Sequence, residues 1–323
     1  MDRDARIFVA GHRGLAGGAI LRRLEGAGYS NVLRRTRAEL DLADAAACAR
    51  FFAREKPEYV FLAAAKVGGI AANQAAPAEF IAQNLAIEMN VIDNAWRHGV
   101  KRLVFLGSSC VYPRDCPQPI REEYLMTGPV EATNQAYAVA KIAGVEMCGA
   151  YNEQYGTQFV CASPTNLYGI GDNYDLQTCH VLPALIRKAH EAKQSGARSI
   201  IVWGTGRPRR ELMLSDDLAD ACVLLASTAW ERLMAVAPGP RLPLFNVGTG
   251  EDISIAEIAR KVLATVGFDG TLEWDTSKPD GTPRKVLDVS RMAALGWHAR
   301  TSFDQGIAVA YSDYLARDLA CAA

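Results

Sequence analysis

The chain has 323 residues, half of them hydrophobic, and its 35 basic side chains nearly balance 36 acidic ones. This length and apolar content predict a large buried core, and the balanced charge excludes an electrostatic commitment to nucleic acid or to an anionic membrane. No uninterrupted apolar run reaches the ~18 residues of a membrane helix, and the N-terminal residues lack the pattern of a signal peptide. We therefore expect a soluble, cytoplasmic protein with neither nucleic acid nor membrane as a partner.

Short apolar runs alternate with amphipathic stretches in the first half of the chain. The spacing predicts strands at 6–10, 31–33, 59–62, 102–106 and 158–162, and helices at 14–25, 43–54, 78–97 and 136–155. This alternation predicts an α/β fold with a Rossmann-type, doubly wound parallel sheet.

The regular alternation weakens after Asn166. Helices are predicted at 181–193, from a capped start at Ser215 and from Ser254, with a strand at 200–203 and a surface loop at 237–243. We expect residues 1–165 to form a cofactor-binding domain, to which later segments can return. Residues 166–323 should mainly form a smaller substrate-binding lobe.

A glycine-rich loop follows the first predicted strand and opens the first helix. Its glycines are Gly11, Gly14 and Gly17, and its amides would face a bound pyrophosphate. The candidate cofactor-binding residues in this loop are Gly11, His12, Arg13, Gly14, Leu15, Ala16 and Gly17.

Arginines predict which cofactor binds. Where enzymes that use NAD usually carry an acid after the second strand, this chain has Arg34, Arg35 and Arg37, and Arg13 lies in the loop. The planar guanidinium suits a 2′-phosphate, so the pattern favours NADPH over NADH. The alternative is a solvated basic face beside an edge strand.

Three polar residues form a candidate catalytic set. Ser108 follows the fourth strand, and Tyr137 and Lys141 lie one turn apart on a predicted helix. The Lys141 ammonium would lower the pKa of Tyr137, while Ser108 binds a substrate oxygen. Alone, the Tyr and Lys could be an ordinary surface pair, but the preceding serine and the glycine loop favour catalysis.

These motifs resemble the extended short-chain dehydrogenase/reductases that modify nucleotide sugars, and most closely the GDP-L-fucose synthase group. The resemblance rests on AGHRG at Ala10, FLGSSCVYP at Phe105, YAVAKIAG at Tyr137, SPTNLYG at Ser163 and SKPDGTPRK at Ser277. It implies NADPH-dependent epimerisation at C3 and C5 of a GDP-linked 4-keto-6-deoxy sugar, followed by reduction at C4.

The resemblance also implies roles for further residues. Cys110 and His180 would move protons at C3 and C5, and both ionise near neutral pH. Further cofactor-binding residues would be Asp41, Leu42, Leu106, Gly107, Lys141, Pro164, Asn166, Leu167 and His180. Substrate-binding residues would be Lys188, Trp203, Arg210 and Asp280. Helices 78–97 and 136–155 would form the interface of a homodimer.

Other interpretations remain open at this point. The same chemistry could act on a related GDP-4-keto sugar of a colitose or deoxyheptose pathway, or the chain could be a non-catalytic NADPH-binding sensor. A 4-epimerase that retains NAD is disfavoured by Arg13 and Arg37. The eight cysteines form no CxxC pair and no cluster with the histidines, so no metal site is expected.

Overall fold

The computed structural model describes residues 1–237, 239, 241–278 and 280–322. Its strands are β1 (Ile7–Ala10), β2 (Val32–Leu33), β3 (Tyr59–Leu62), β4 (Arg102–Leu106), β5 (Phe159–Pro164), β6 (Asn166–Tyr168), β7 (Ser199–Trp203), β8 (Arg209–Arg210), β9 (Leu212–Leu214), β10 (Leu244–Val247), β11 (Ile253–Ser254), β12 (Thr271–Asp275) and β13 (Arg284–Lys285). Its α-helices are α1 (Leu15–Gly26), α2 (Ala45–Glu55), α3 (Ile70–Ala75), α4 (Pro77–Arg97), α5 (Gln135–Tyr155), α6 (Val181–Ser195), α7 (Ser215–Ser227), α8 (Trp230–Val236), α9 (Ile255–Val266), α10 (Ser290–Ala294) and α11 (Phe303–Ala322). Short 3-10 helices occupy Ser109–Val111, Glu122–Tyr124 and Ala132–Asn134.

Six parallel strands form the central sheet in the order β10-β5-β4-β3-β1-β2. The strand order reverses direction between β1 and β3, and in such sheets ligands bind in the crevice at the carboxyl ends of the strands around this point. The predicted doubly wound α/β fold is confirmed.

Helices cover both faces of the sheet. Successive side chains of a strand point to opposite faces, and both sets are buried. Ile7 and Val9 of β1 pack with α1 and α7, whereas Phe8 and Ala10 pack with α2, α4 and α5. Strand β10 and helix α7 thus return to the N-terminal domain from beyond residue 166.

The remaining elements form a lobe with its own core. Helices α6, α9 and α11 contribute buried residues such as Leu185, Val262 and Ile307 to one apolar cluster, which also receives Ile200 and Val202 of β7. Strand β8 pairs with β11 and β13, and β7 pairs with β12. This lobe lies next to the carboxyl ends of the sheet strands.

The predicted N-terminal caps of α9 and α7 can be compared with the structure. Ser254 and Glu257 form a reciprocal capping box at α9, as predicted. The predicted cap at Ser215 is wrong: the N-cap is Leu214, and Asp216 in the first turn instead binds Arg22 of α1 at 2.9 Å. In the predicted loop 237–243, positions 238 and 240 lie outside the described residues.

None of the helices in the described residues combines the length and the apolar character needed to cross a membrane.

Candidate functional site

A cleft of about 1260 Å³ lies at the carboxyl edge of the sheet, between the sheet and the lobe. It brings together most of the predicted site residues: Gly11, Gly14, Leu15, Ala16, Gly17, Arg37, Asp41, Leu42, Leu106, Gly107, Ser108, Cys110, Tyr137, Lys141, Pro164, Asn166, Leu167, His180, Trp203, Arg210 and Asp280. His12, Arg13 and Lys188 are not among the residues that line it.

The glycine loop fits a dinucleotide pyrophosphate. Gly11 has φ +85°, and a Cβ there would lie 2.7 Å from the backbone nitrogen of Ala64 after β3. A Cβ on Gly17 would lie 2.2 Å from the carbonyl oxygen of Gly11, so a side chain would push the loop away from the helix. Gly14 is the N-cap of α1, which leaves the first backbone amides of the helix free for an anion.

The three arginines after β2 differ in whether they line the cleft. Arg34 pairs with Glu25 at 2.8 Å and does not line the cleft. Arg35 and Arg37 do line it, and the Arg37 side chain is 73 % exposed while it contacts Asp41 at 3.4 Å. The Arg35 guanidinium pairs with Glu55 at 3.1 Å, so the more exposed Arg37 is the better placed of the two to reach a phosphate at this end of the cleft.

Ser108 and Tyr137 meet at the middle of the cleft. Ser108 has extended backbone after β4, and its hydroxyl accepts a hydrogen bond from the Cys110 amide at 3.2 Å. Burial and the neighbouring Cys110 raise the pKa of Tyr137 well above its ordinary value, and a hydrogen bond from Ser108 only partly offsets this. Tyr137 thus holds its proton at neutral pH and can donate it to an oxygen.

Lys141 does not act on Tyr137 as expected. Its ammonium lies 3.1 Å from a carboxylate oxygen of Glu88 on α4, and both side chains are 2 % exposed. It also lies 4.6 Å above the ring of Phe105. Burial raises the pKa of Glu88, and Lys141 opposes the rise. The expected lowering of the Tyr137 pKa is wrong: burial raises this pKa, and the Lys141 charge faces Glu88 and does not offset the rise.

Cys110 lies in the 3-10 helix after β4, beside two polar groups from distant segments. The Asn134 side-chain nitrogen lies 3.2 Å from its sulfur, and the Lys285 ammonium lies 3.7 Å from it. Burial would raise the pKa of the Cys110 thiol, but Lys285, Ser108 and Asn134 together lower it below its ordinary value. This thiol can therefore ionise more readily than an ordinary cysteine.

His180 enters the cleft from the lobe as the N-cap residue of α6. The preceding loop is tied to the domain by a hydrogen bond from the Gly69 amide to the Thr178 carbonyl, at 3.2 Å. His180 is exposed toward the cleft, and the desolvation of the imidazole by the surrounding protein atoms lowers its pKa. Cys110, which follows a sheet strand, and His180, which begins a helix of the lobe, thus line one cleft.

The lobe also offers an aromatic face and charged edges. The Trp203 side chain is 63 % exposed, and the ammonium groups of Lys188 and Lys278 lie 5.8 and 5.5 Å from its ring. Lys188 donates to the carbonyl oxygen of Ile201, which explains why it lies outside the cleft lining. An indole flanked by cations can stack a base and attract phosphates.

Arg210 and Asp280 complete this wall. The Arg210 guanidinium donates to the carbonyl of Thr282 at 2.5 Å, and Asp280 accepts from the Thr205 amide at 2.9 Å. This hydrogen bond lowers the pKa of Asp280. Both side chains are thus preorganised at the cleft rim.

The sequence patterns missed Glu88, Asn134 and Lys285. Lys285 lies within the SKPDGTPRK motif, but nothing in the spacing indicates contact with a thiol 175 positions away. Glu88 is buried on the face of α4 that meets α5, a relation that only the tertiary packing creates.

Comparisons with known proteins identify the family of the chain. The family described as NAD dependent epimerase/dehydratase matches residues 7–233. The chain is 52 % identical to GDP-L-fucose synthase 1 of Arabidopsis thaliana, over 97 % of this chain and 94 % of that protein. It is 47 % identical to the GDP-L-fucose synthase of Escherichia coli K12, over 96 % of each.

A solved structure is similar along almost the whole chain. A GDP-mannoheptose C4 reductase from Campylobacter jejuni with NADP bound has a TM-score of 0.88 and 41 % identity, covering 98 % of this chain and 99 % of that one. The resemblance seen in the sequence motifs is confirmed. The chain belongs to the NAD dependent epimerase/dehydratase family and, within it, to the GDP-L-fucose synthases.

Proposed function

We propose that this chain converts GDP-4-keto-6-deoxymannose to GDP-L-fucose by epimerisation at C3 and C5 and NADPH-dependent reduction at C4. The observation that carries the proposal is the presence of Cys110 and His180 in the same cleft as Ser108 and Tyr137. A reductase needs the hydroxyl groups, whereas a thiol and an imidazole in the same cleft suit proton transfer at carbon.

Ser108 and Tyr137 have one task in both reactions. The protons at C3 and C5 become acidic when the C4 carbonyl draws charge, and hydrogen bonds to its oxygen stabilise the enolate. The hydroxyls of Ser108 and Tyr137 lie within hydrogen-bond reach of each other, and both become donors for this oxygen once the bond between them is given up.

Cys110 and His180 exchange the protons. A sugar bound between the sheet and the lobe presents one ring face toward Cys110 and the other toward His180. Removal of a proton from one face and its return to the other inverts each centre. The lowered pKa of Cys110 makes its thiolate more accessible near neutrality. The lowered pKa of His180 favours the neutral imidazole, which has one nitrogen that accepts a proton and one N–H that donates.

The cofactor site is formed by the glycine loop, by Arg35 and Arg37, and by the strand ends that line the cleft. Bound NADPH supplies the hydride for C4. The protein then supplies the proton: Tyr137, whose raised pKa keeps the phenol protonated, donates it to the C4 oxygen.

Arg37→Ala is expected to weaken NADPH binding by roughly tenfold and to leave NADH binding nearly unchanged, because only NADPH carries the 2′-phosphate. Fluorescence titration with both cofactors measures the two Kd values. Arg34→Ala is the matched control, since Arg34 pairs with Glu25 away from the cleft. Equal losses for the two cofactors in Arg37→Ala would remove this residue from phosphate recognition.

The GDP portion is proposed to bind the lobe. Trp203 would stack the guanine, while Arg210 and nearby lysines attract the diphosphate and Asp280 accepts hydrogen bonds. Lys188 would join them only if it leaves its bond to the Ile201 carbonyl.

A heptose substrate is the second candidate, because a GDP-mannoheptose reductase is similar over nearly the full chain. NADPH oxidation should therefore be compared with GDP-4-keto-6-deoxymannose and with a GDP-4-keto-heptose, and the products identified by NMR. Faster turnover of the 6-deoxy sugar, with GDP-L-fucose as its product, is expected. Preference for the heptose would reassign the substrate.

A homodimer through α4 and α5 is part of this proposal. These helices pack on each other, and they expose Met89, Val139 and Tyr155, apolar side chains that a second copy could cover. Light scattering of the purified protein tests it, and a monomeric mass would contradict it. The division at residue 165 and the cytoplasmic location stay predictions.

A further inference from the structure

The surroundings of Cys110 are unusual for a lone thiol. Its sulfur contacts the amide nitrogen of Asn134 at 3.2 Å and the ammonium of Lys285 at 3.7 Å, and Ser108 adds a hydrogen bond. These groups come from the 3-10 helix before α5, from β13 and from the loop after β4.

The Asn134 and Lys285 donors favour an anion over a neutral thiol. A thiol is a weak acceptor, whereas a thiolate accepts strong charge-assisted hydrogen bonds. Lys285 is only partly exposed, so its charge is less screened than that of a surface lysine.

Other charged groups that line the cleft do not compete for the contact between Lys285 and the Cys110 sulfur, because they have partners of their own. Arg114 contacts Glu131 at 3.6 Å, and Arg284 pairs with Asp252. Tyr137 faces Cys110 from α5 as a neutral phenol at neutral pH, because its pKa is raised. His180 faces the cleft from α6, and its lowered pKa favours the neutral imidazole.

We propose that Lys285 and Asn134 are positioning residues that hold Cys110 as a thiolate, ready to accept a proton from the sugar. The inference rests on the proposed function for its role in turnover. In that step the C–H bond breaks, an S–H bond forms, and the electron pair moves into the enolate whose oxygen Ser108 and Tyr137 bind.

The Lys285 side chain can be changed without removing its strand. Strand β13 pairs with β8 through the backbone, and the Lys285 carbonyl accepts from the Glu211 amide at 3.2 Å. Lys285→Met therefore keeps the pairing and most of the side-chain volume while it removes the charge. Lys285→Arg keeps the charge.

The direct test is the pH dependence of Cys110 alkylation by iodoacetamide in the full-length protein, followed by mass spectrometry of the Cys110 peptide. In Lys285→Met the midpoint should move to higher pH. The rate at pH 7 should fall by roughly three- to tenfold, since the loss of thiolate is partly offset by the greater nucleophilicity of a more basic sulfur. Lys285→Arg should restore most of the rate, and Asn134→Ala should cause a smaller shift in the same direction.

Two references separate this effect from a change in folding. Lys278→Met removes a cation from the loop before β13, one that lies over Trp203, and should leave the Cys110 midpoint unchanged. Cys179, whose thiol pKa is raised by burial and by Asp172 and Asp175, reports within each sample whether the loop before α6 keeps its structure.

Each outcome bears on the proposal. A shifted Cys110 midpoint in Lys285→Met, with Cys179 unchanged and Lys285→Arg near wild type, supports it. An unshifted midpoint overturns it, as does an equal shift in Lys278→Met. If the midpoint shifts but the wild-type protein does not turn over the GDP sugar, Lys285 sets the thiolate and the proposed function fails separately.

Discussion

Cys110→Ser should reduce deuterium exchange at C3 and C5 of GDP-4-keto-6-deoxymannose by roughly 10²–10⁴-fold, the usual contribution of a positioned acid or base. A serine hydroxyl ionises far less readily than a thiol, so the groups around position 110 would face a neutral oxygen. NADPH affinity should stay near that of the wild type. Mass spectrometry of the recovered sugar measures the exchange.

Cys116→Ser is the matched control for this variant. Cys116 is the next cysteine along the chain and also feels the Lys285 charge, but burial raises its thiol pKa. It should therefore keep wild-type exchange. Unchanged exchange in Cys110→Ser would exclude Cys110 from the mechanism.

Tyr137→Phe should lower NADPH oxidation at saturating substrate by roughly 10²–10⁴-fold, because it removes the phenol that donates the final proton. Exchange at C3 and C5 should also fall, since the enolate loses one donor for its oxygen. Stopped-flow absorbance of NADPH measures the reduction, and deuterium content measures the exchange.

Tyr151→Phe is the control on the same helix. The Tyr151 hydroxyl donates to Asp93 at 2.9 Å, away from the cleft, and its loss should leave both rates near wild type. Normal reduction in Tyr137→Phe would mean that another group donates the proton to the C4 oxygen.

Much of the N-terminal domain could be predicted because its signals are local. Strand β3 and strand β4 have the predicted bounds, and the glycine loop follows β1 as expected. The return of β10 to the sheet and of α7 to the face with α1 was not assigned. These contacts join segments far apart in sequence, and no local periodicity encodes which elements will pack together.

The site residues also divide into those with a local sequence signal and those placed only by the tertiary structure. Ser108 and Cys110 lie in one short segment, so their proximity could be predicted from the sequence. The partners of Lys141 and of the Cys110 sulfur could not be predicted. Glu88 reaches Lys141 only through the packing of α4 on α5, and Lys285 reaches Cys110 only through the pairing of β8 with β13. The spacing of Tyr137 and Lys141 predicted a shared helix face but could not reveal the competing carboxylate.

The central claim is that one cleft carries out both proton exchange and reduction. The most direct test incubates the purified protein with GDP-4-keto-6-deoxymannose and NADPH in D₂O, then determines product structure and isotope positions by NMR and mass spectrometry. The expected product is GDP-L-fucose with deuterium at C3 and C5, formed with one NADPH oxidised per sugar. Reduction without deuterium at these carbons, or no reaction with this sugar, would contradict the claim.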